Sequence, residues 1–259
     1  MESINFSLAI LPKLLDGAKV LLNSFANKIQ NIVDFTLIYR SLPKLLDGAK
    51  ISLLISLCSV ILGVSLGIIV ASGRLSKFWP FKAFASVYVA FIRGTPMIVQ
   101  IFIIHYGLAE FVLTLPAFAS GIIALSLNSG AYMGEVFRGG IQSIDIGQTQ
   151  AGLSVGLTPF QVFRYIVFPQ AFRRVIPSMG NEIVTLTKDS SLVNFIAIAE
   201  LTYRATLIAS RTYEYFTMYI GIALVYFAIT FVLSQLLALL ERRMGPYDSD
   251  SQPGKGLRR

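Results

Sequence analysis

The sequence has 259 residues, of which 54% are hydrophobic and 14% are charged, and its formal net charge is +8. A soluble domain usually carries about 25% charged residues, so this composition argues against an ordinary soluble protein and predicts an integral membrane protein. The basic residues flank apolar runs, which favours membrane anchoring over nucleic-acid binding, and a single Cys58 and a single His105 exclude an intrachain disulfide and argue against a metal site.

Residues 1–41 are interpreted as an N-terminal extension. Charged residues interrupt this segment, so it contains no run of signal-peptide quality. Residues 11–19 recur identically as residues 42–50, and only the second copy leads into an apolar run. We interpret the extension as a surface or amphipathic segment at the membrane, with a partial duplication as the alternative.

Five membrane spans are predicted within a transmembrane domain at residues 42–247, ahead of a basic tail at residues 248–259. The first span, 51–71, is uncharged for 21 residues, and about 20 suffice to cross a bilayer. It contains Gly63 and Gly67, a spacing that allows close helix packing. The remaining spans are predicted at residues 96–113, 118–137, 175–193 and 215–240.

The second span is predicted to begin at a break in a longer apolar run. Thr95 followed by Pro96 predicts a helix start, with Thr95 as the cap. Residues 79–92 would then lie partly in the membrane interface, and Arg93 would lie at the cytoplasmic edge, since an arginine at mid-membrane is costly.

The orientation follows from Lys and Arg in the short loops. Residues 73–82 hold three basic residues and residues 138–174 hold four, whereas residues 109–117 hold only Glu110 as a charged residue. These two basic loops and the C-terminus are therefore predicted to be cytoplasmic, which places the N-terminus outside. The basic residues before the first span run against this assignment.

Residues 138–174 are too polar to span and too regularly patterned for a floppy loop. Residues 147–157 predict a short helix that ends in a turn at Gly156. Thr158 is predicted to cap a second helix, which Phe168 and Pro169 end or bend. A short surface helix rich in Ala, Gly and Leu favours insertion into a partner's groove, and an ordinary connector is the alternative.

This loop resembles the cytoplasmic EAA loop of permease subunits of binding-protein-dependent ABC importers. Gln150-Ala151-Gly152 stands where the family has Glu-Ala-Ala, and Gly156 and Phe168-Pro169 follow in order. Segments 91–96, 131–141 and 188–192 resemble the polar amino acid branch of the family. The resemblance implies an all-α fold with a five-helix permease core, whose coupling-helix loop docks on a separate ATPase through Gln150, Ala151, Gly152, Gly156 and Pro169. Gln150, Gly152 and Phe168 depart from the family pattern, and docking by shape should survive those changes.

The resemblance also implies a set of partners in a bacterial inner membrane. These are cytoplasmic ABC ATPase subunits, a second permease copy or paralogue, and an extracytoplasmic amino-acid-binding protein, which together import a polar amino acid by alternating access. The sequence contains no P-loop and no Ser–His–Asp set, so we expect a transport subunit with no cofactor rather than an enzyme. An ion-gradient-driven transporter or a channel is the alternative, and a membrane-embedded enzyme or receptor is a third.

Two polar stripes on predicted spans are candidates for a substrate pathway. Asn128, Tyr132 and Glu135 recur at i, i+4 and i+7. Ser178, Asn181, Glu182, Thr185 and Asp189 cover an arc of about 100° on the fourth span. Such stripes are costly against lipid and should face the interior or a water-filled cavity, with interhelical hydrogen bonding as the alternative. The carboxylates favour a basic substrate over an acidic one, and a neutral one such as glutamine stays open.

Overall fold

The computed structural model describes residues 32–111 and 114–243, and its regular elements are helical. The predicted tail at residues 248–259 and most of the predicted N-terminal extension lie outside these ranges. The helices are α1 (Phe35–Leu75), α2 (Trp79–Gly94), α3 (Met97–Phe102), α4 (Leu108–Phe111), α5 (Ala117–Gln142), α6 (Ile146–Ser154), α7 (Pro159–Val162), α8 (Phe168–Asp189), α9 (Leu201–Thr212) and α10 (Tyr215–Arg243). A π turn at Ile103–Gly107 joins α3 to α4, a second at Phe163–Val167 joins α7 to α8, and a 3₁₀ segment at Ser190–Ile196 follows α8.

By length and composition, α1 and α10 are each sufficient to cross a bilayer. Two bent helix pairs, α2 with α3–α4 and α7–α8 with α9, raise the number of such spans within the described ranges to four if each pair counts as one span. The predicted third span lies in α5, which is less apolar because it carries many serines and glycines together with Glu135 and Arg138. Within the described residues, the five predicted apolar runs fall mainly in helical segments.

The centre of the fold is the contact between α1 and α5. Gly63 and Gly67 on α1 face Ser129 and Met133 on α5, and a Cβ atom added at Gly67 would lie 2.5 Å from the Cβ of Met133. The two helices can approach this closely only because these positions lack side chains. The prediction that Gly63 and Gly67 permit close helix packing is confirmed.

The helix α9 lies against the first half of α1 and against α10. Its N-cap is Glu200, whose carboxylate is fully buried and accepts hydrogen bonds from the Tyr203 backbone N–H at 2.7 Å and the Tyr226 hydroxyl at 3.0 Å. The Ser52 hydroxyl lies 3.2 Å from the same carboxylate. These bonds join α1, α9 and α10.

Two expectations about helix ends are corrected by the structure. Thr95 is the residue that follows α2, with an extended backbone, and Pro96 rather than Thr95 precedes the first residue of α3. The Thr95 hydroxyl donates backwards to the Phe91 carbonyl at 2.9 Å, because residue 95 lies past the end of one helix rather than ahead of the next.

The chain is also continuous where Phe168 and Pro169 were expected to end or bend a helix. The π turn at Phe163–Val167 leads directly into α8, and the Phe168 N–H donates to the Phe163 carbonyl, five residues back. Proline in a regular α ladder clashes with the carbonyl four residues before it, and the wider π turn accommodates Pro169 without ending the helix. At the N-terminal side, α1 begins at Phe35, so the predicted boundary between residues 41 and 42 lies within one helix.

Candidate functional site

The helix is interrupted between α2 and α3, and the axes of the two helical segments differ in direction by 112° across this break. Pro96 has no backbone N–H, so the Ile92 carbonyl loses the donor that a continuous helix would provide. Within a membrane protein, a broken helix is tolerated where its freed backbone groups are buried in protein or line a cavity. The break is therefore a place where polar groups collect inside the fold.

The Arg93 guanidinium lies over the ring of Tyr132, with 5.1 Å from its carbon to the ring centroid. This is a cation–π contact between the end of α2 and the middle of α5. Tyr132 is 39% exposed, and Arg93 is also exposed. A ligand that reaches this surface can therefore contact both side chains.

Arg93 lies level with the last turns of the predicted first span. Met133, the residue after Tyr132, packs on Gly67, and Gly67 precedes the predicted end of the first span at Ala71 by about one helical turn. The reason is that α2 packs along α1, with Val89 buried against Val70. The contact with Tyr132 stabilises the charge at this depth.

Asn128 and Glu135, two predicted pathway residues on α5, are each engaged by neighbouring side chains. The Asn128 amide nitrogen donates to the Gln100 side-chain oxygen at 2.9 Å. The Glu135 carboxylate lies 3.0 Å from the Arg74 guanidinium and 2.8 Å from that of Arg138. Glu135 is thus charge-compensated and joins α1 to α5.

The polar stripe on α8 faces outward from the protomer. Ser178, Asn181 and Thr185 are exposed, and Glu182 and Asp189 are partly buried at the edge of the stripe. Polar side chains of this kind are costly against lipid and are expected to face a partner or a water-filled space. On this ground the exposed stripe is the side of α8 that is expected to face a partner or water instead of lipid.

The structure brings some predicted site residues together and separates others. Glu182 on α8 lies near Ser129 on α5, although the buried Ser129 hydroxyl has no partner within hydrogen-bond distance among the described residues. Ser129 precedes Tyr132 by about one helical turn. Glu182 and Arg93 therefore approach the same turn of α5 with opposite charges. Asp189 lies about 10 Å further along α8 from Glu182, and Glu135 lies in its own ion-pair cluster.

The predicted docking loop is two short helices packed on each other. α6 begins at the Asp145 cap and ends before Gly156, whose φ is +85°. α7 begins with a capping box between Thr158 and Gln161. The predicted helix, Gly turn and Thr158 cap are all confirmed, because each is fixed by local residue chemistry.

Within that loop, the predicted docking residues divide between two faces of α6. Gln150 and Ala151 are exposed, but Gly152 is buried, and a Cβ atom there would lie 2.8 Å from a methyl group of Ile166. Gly152 therefore sets how closely α6 packs on the following segment rather than offering surface to a partner. Pro169 is exposed in the first turn of α8. A cleft of about 640 Å³ lies beside α6, between the end of α5 and the π turn.

Residues 63–246 match the family described as binding-protein-dependent transport system inner membrane component. That match covers most of the chain. The chain belongs to this family. Its members are membrane-embedded transport subunits, so the helices described above are those of a permease, and the comparisons do not favour the gradient-driven transporter or the channel.

Named relatives of the permease are transport proteins for amino acids. The L-cystine transport system permease protein TcyB of Bacillus subtilis is 41% identical over 194 residues, covering 74% of this chain and 83% of the relative. The arginine transport system permease protein ArtQ of the same organism is 34% identical, covering 83% and 99%. A crystal structure of an amino acid ABC transporter with histidines superposes with a TM-score of 0.78 at 41% identity, covering 82% of this chain and 99% of that one.

Sequence patterning predicted neither the contact of Arg93 with Tyr132 nor the hydrogen bonds of Gln100. Arg93 was placed at the membrane edge on the ground that a buried charge is costly. Gln100 is a single polar residue in an apolar run and has no periodic partner that would mark it. The available signal was the Thr95-Pro96 break itself, since freed carbonyls require donors from nearby side chains.

Proposed function

We propose that this chain is the membrane-spanning subunit of an ATP-driven amino acid importer, and that substrate passes along the accessible polar faces of α5 and α8. The observation that carries the proposal is the approach of Arg93 and Glu182 to one turn of α5, beside the exposed stripe of α8. An amino acid needs donors for its carboxylate and acceptors for its ammonium group. The Arg93 guanidinium and the Glu182 carboxylate offer that pair of charges.

The proposed pathway comprises Asn128, Tyr132, Glu135, Asn181, Glu182, Thr185 and Asp189, to which we add Arg93. Within this set, Glu182 and Asp189 are assigned to the cationic groups of the substrate. Glu135 is already balanced by two arginines, so it is assigned to the wall of the pathway. These two carboxylates favour a basic amino acid, and the relative ArtQ is an arginine transport permease.

The energy source in this proposal is a separate cytoplasmic ATPase that docks on α6. Exposed Gln150 and Ala151 offer a surface, Gly156 sets the turn, and the cleft beside α6 can receive a side chain from the partner. A second permease copy or paralogue would cover the exposed stripe of α8, and an extracytoplasmic binding protein would deliver the substrate. The docking loop and the C-terminus are cytoplasmic in this arrangement, and the N-terminus is outside.

The test is uptake into proteoliposomes by the whole complex, purified by tagging this chain and supplied with ATP inside. We expect Glu182→Gln to lower L-arginine uptake about tenfold, as the loss of a charge-assisted contact implies, and to lower L-glutamine uptake less. Glu214→Gln is the matched control, because Glu214 is exposed and away from the stripe, at the start of α10. Absence of ATP-dependent uptake for every polar amino acid would overturn the function, and unchanged uptake of both amino acids in Glu182→Gln would overturn the pathway.

A further inference from the structure

The buried side chain of Gln100 holds the break between α2 and α3. Gln100 is only 5% exposed. Its amide nitrogen lies 2.7 Å from the Ile92 carbonyl oxygen, 3.1 Å from that of Thr95 and 3.0 Å from the Thr95 hydroxyl. Its amide oxygen accepts from the Asn128 amide at 2.9 Å. We propose that Gln100 is a positioning residue, which fixes the end of α2 on α5 and thereby places the Arg93 guanidinium over Tyr132.

The Gln100 amide replaces a donor that the sequence removes. In a continuous helix the Ile92 carbonyl would accept from the backbone N–H of residue 96, but residue 96 is proline and has none. The Gln100 side chain donates to that carbonyl instead. An unpaired carbonyl at this depth would be costly, so the side chain stabilises this particular geometry of the break.

The same side chain links the break to the pathway face of α5. Ile92, which Gln100 holds, immediately precedes Arg93. Asn128, to which Gln100 is bonded, precedes Tyr132 by four residues on one face of α5. The Gln100–Asn128 hydrogen bond therefore runs beside the Arg93–Tyr132 contact and joins the same two segments. Because the Gln100 amide is neutral, it holds Arg93 in place without neutralising the charge that the substrate carboxylate requires.

This inference rests on the proposed function, and a double-mutant cycle tests it. Gln100→Met keeps the length of the side chain and removes the amide. In proteoliposomes of the whole complex, we expect Arg93→Ala and Gln100→Met each to lower L-arginine uptake, the latter about fivefold, and the double variant to transport no worse than Arg93→Ala alone. If the fold-loss of uptake in the double variant equals the product of the losses in the two single variants, Gln100 does not act through Arg93, and the inference is overturned.

The matched control is Gln170→Met, since Gln170 donates at 2.8 Å to the Ile166 carbonyl, four residues back in the same helical segment. We expect its uptake to stay within twofold of that of the parent. If Gln100→Met fails to fold, as its thermal unfolding midpoint would reveal, Gln100→Leu takes its place in the cycle. That variant also removes the amide that bonds Ile92 and Asn128.

A second measurement separates this inference from the proposed pathway. If Arg93→Ala leaves uptake unchanged, the pathway role of Arg93 fails, and the position of residue 93 is then read directly. In a Cys58→Ala background, Arg93→Cys is reacted with a small charged methanethiosulfonate reagent, with and without Gln100→Met. A change of about fivefold or more in the reaction rate supports positioning by Gln100, and an unchanged rate overturns it.

Discussion

Gly156 is the residue at which the docking loop turns, and its backbone is the reason it is glycine. Its φ of +85° is left-handed, yet a Cβ atom there would meet no other heavy atom within 4 Å. A substitution at this position therefore acts through backbone strain and not through a clash. Asn tolerates the left-handed region better than most residues, whereas a β-branched side chain is a rare outlier there.

We predict that Gly156→Val uncouples the permease from its ATPase and that Gly156→Asn does so much less. The strain of a non-glycine residue at this φ is of the order of 1–3 kcal/mol, which is enough to re-aim α6 without unfolding the membrane helices. The measurement is binding-protein-stimulated ATPase activity of the reconstituted complex, with thermal unfolding as the check on folding. If the two variants show equal stimulated ATPase activity, the conformation of this turn is not part of the coupling mechanism.

Residue-level predictions were correct where the local structure depends only on neighbouring residues in the sequence. The Gly156 turn and the Thr158 cap were predicted because each depends on the residue types at a few adjacent positions. Thr95 was misassigned because a Thr-Pro pair fits both the residue after one helix and the cap of the next, and only the position of the Phe91 carbonyl distinguishes them. Gln100 is bonded to Asn128, which is 28 residues away in the sequence. A contact between residues so far apart cannot be predicted from a local sequence pattern.

At the scale of helices, the contact between α1 and α5 is built from glycines on both sides. Gly63 and Gly67 face α5, and reciprocally Gly134 faces Val70, with 2.5 Å between its added Cβ and a Val70 methyl group. Side chains from each helix thus fill the spaces left by glycine on the other. Dispersion contacts of this kind, rather than the hydrophobic effect, drive helix association in lipid.

We predict that Gly67→Ala destabilises the permease while Gly221→Ala does not. The alanine methyl group at residue 67 would lie 2.5 Å from the Met133 Cβ, which is close to backbone and cannot move freely, whereas at residue 221 the nearest atom is 3.5 Å away. Overpacking costs about 1–3 kcal/mol, and Gly→Ala in an uncrowded helix gains up to about 1 kcal/mol. Thermal unfolding in detergent should therefore show a lower midpoint for Gly67→Ala alone. A midpoint for Gly67→Ala at or above that of the parent would mean that α1 and α5 can separate at little cost.

The apolar runs predicted the long helices, but the bends between them were harder to predict. Hydropathy and length locate α1 and α10 directly. α9 was not predicted, because it is a short, amphipathic segment joined to α8 through a 51° bend. Its anchor, Glu200, is a carboxylate buried against α1 and α10, and burial of a single acid by distant helices leaves no trace in local sequence.

Across the described part of the molecule, two polar assemblies are separated along the length of the helices. The end of α5 leads into α6 and α7, where the docking loop lies beside the start of α8. The buried Glu200 cluster lies against the first half of α1, where Gly48 packs on Leu201. The end of α1 is instead joined to the end of α5 by the Arg74–Glu135 ion pair, so the docking loop and the Glu200 cluster are separated along α1.

The distribution of basic residues predicts that the α6 end is the cytoplasmic one, and cysteine labelling tests it. In a Cys58→Ala background, Ser154→Cys marks the end of α6 and Ser210→Cys marks the far part of α9. Both serines are exposed, and the change to cysteine is small. The chain is expressed without its ATPase, so that no partner shields residue 154.

With a membrane-impermeant maleimide, we expect Ser210→Cys to be labelled in intact spheroplasts and Ser154→Cys only after the membrane is permeabilised. The physical reason is that Arg and Lys are retained on the cytoplasmic side of a bilayer, and residues 138–174 hold four basic residues. Each variant must be labelled in permeabilised membranes, because this shows that its cysteine is reactive. The two variants then serve as controls for each other. The reverse pattern would place the docking loop outside, where a cytoplasmic ATPase cannot reach it, and the proposed coupling would then fail together with the orientation.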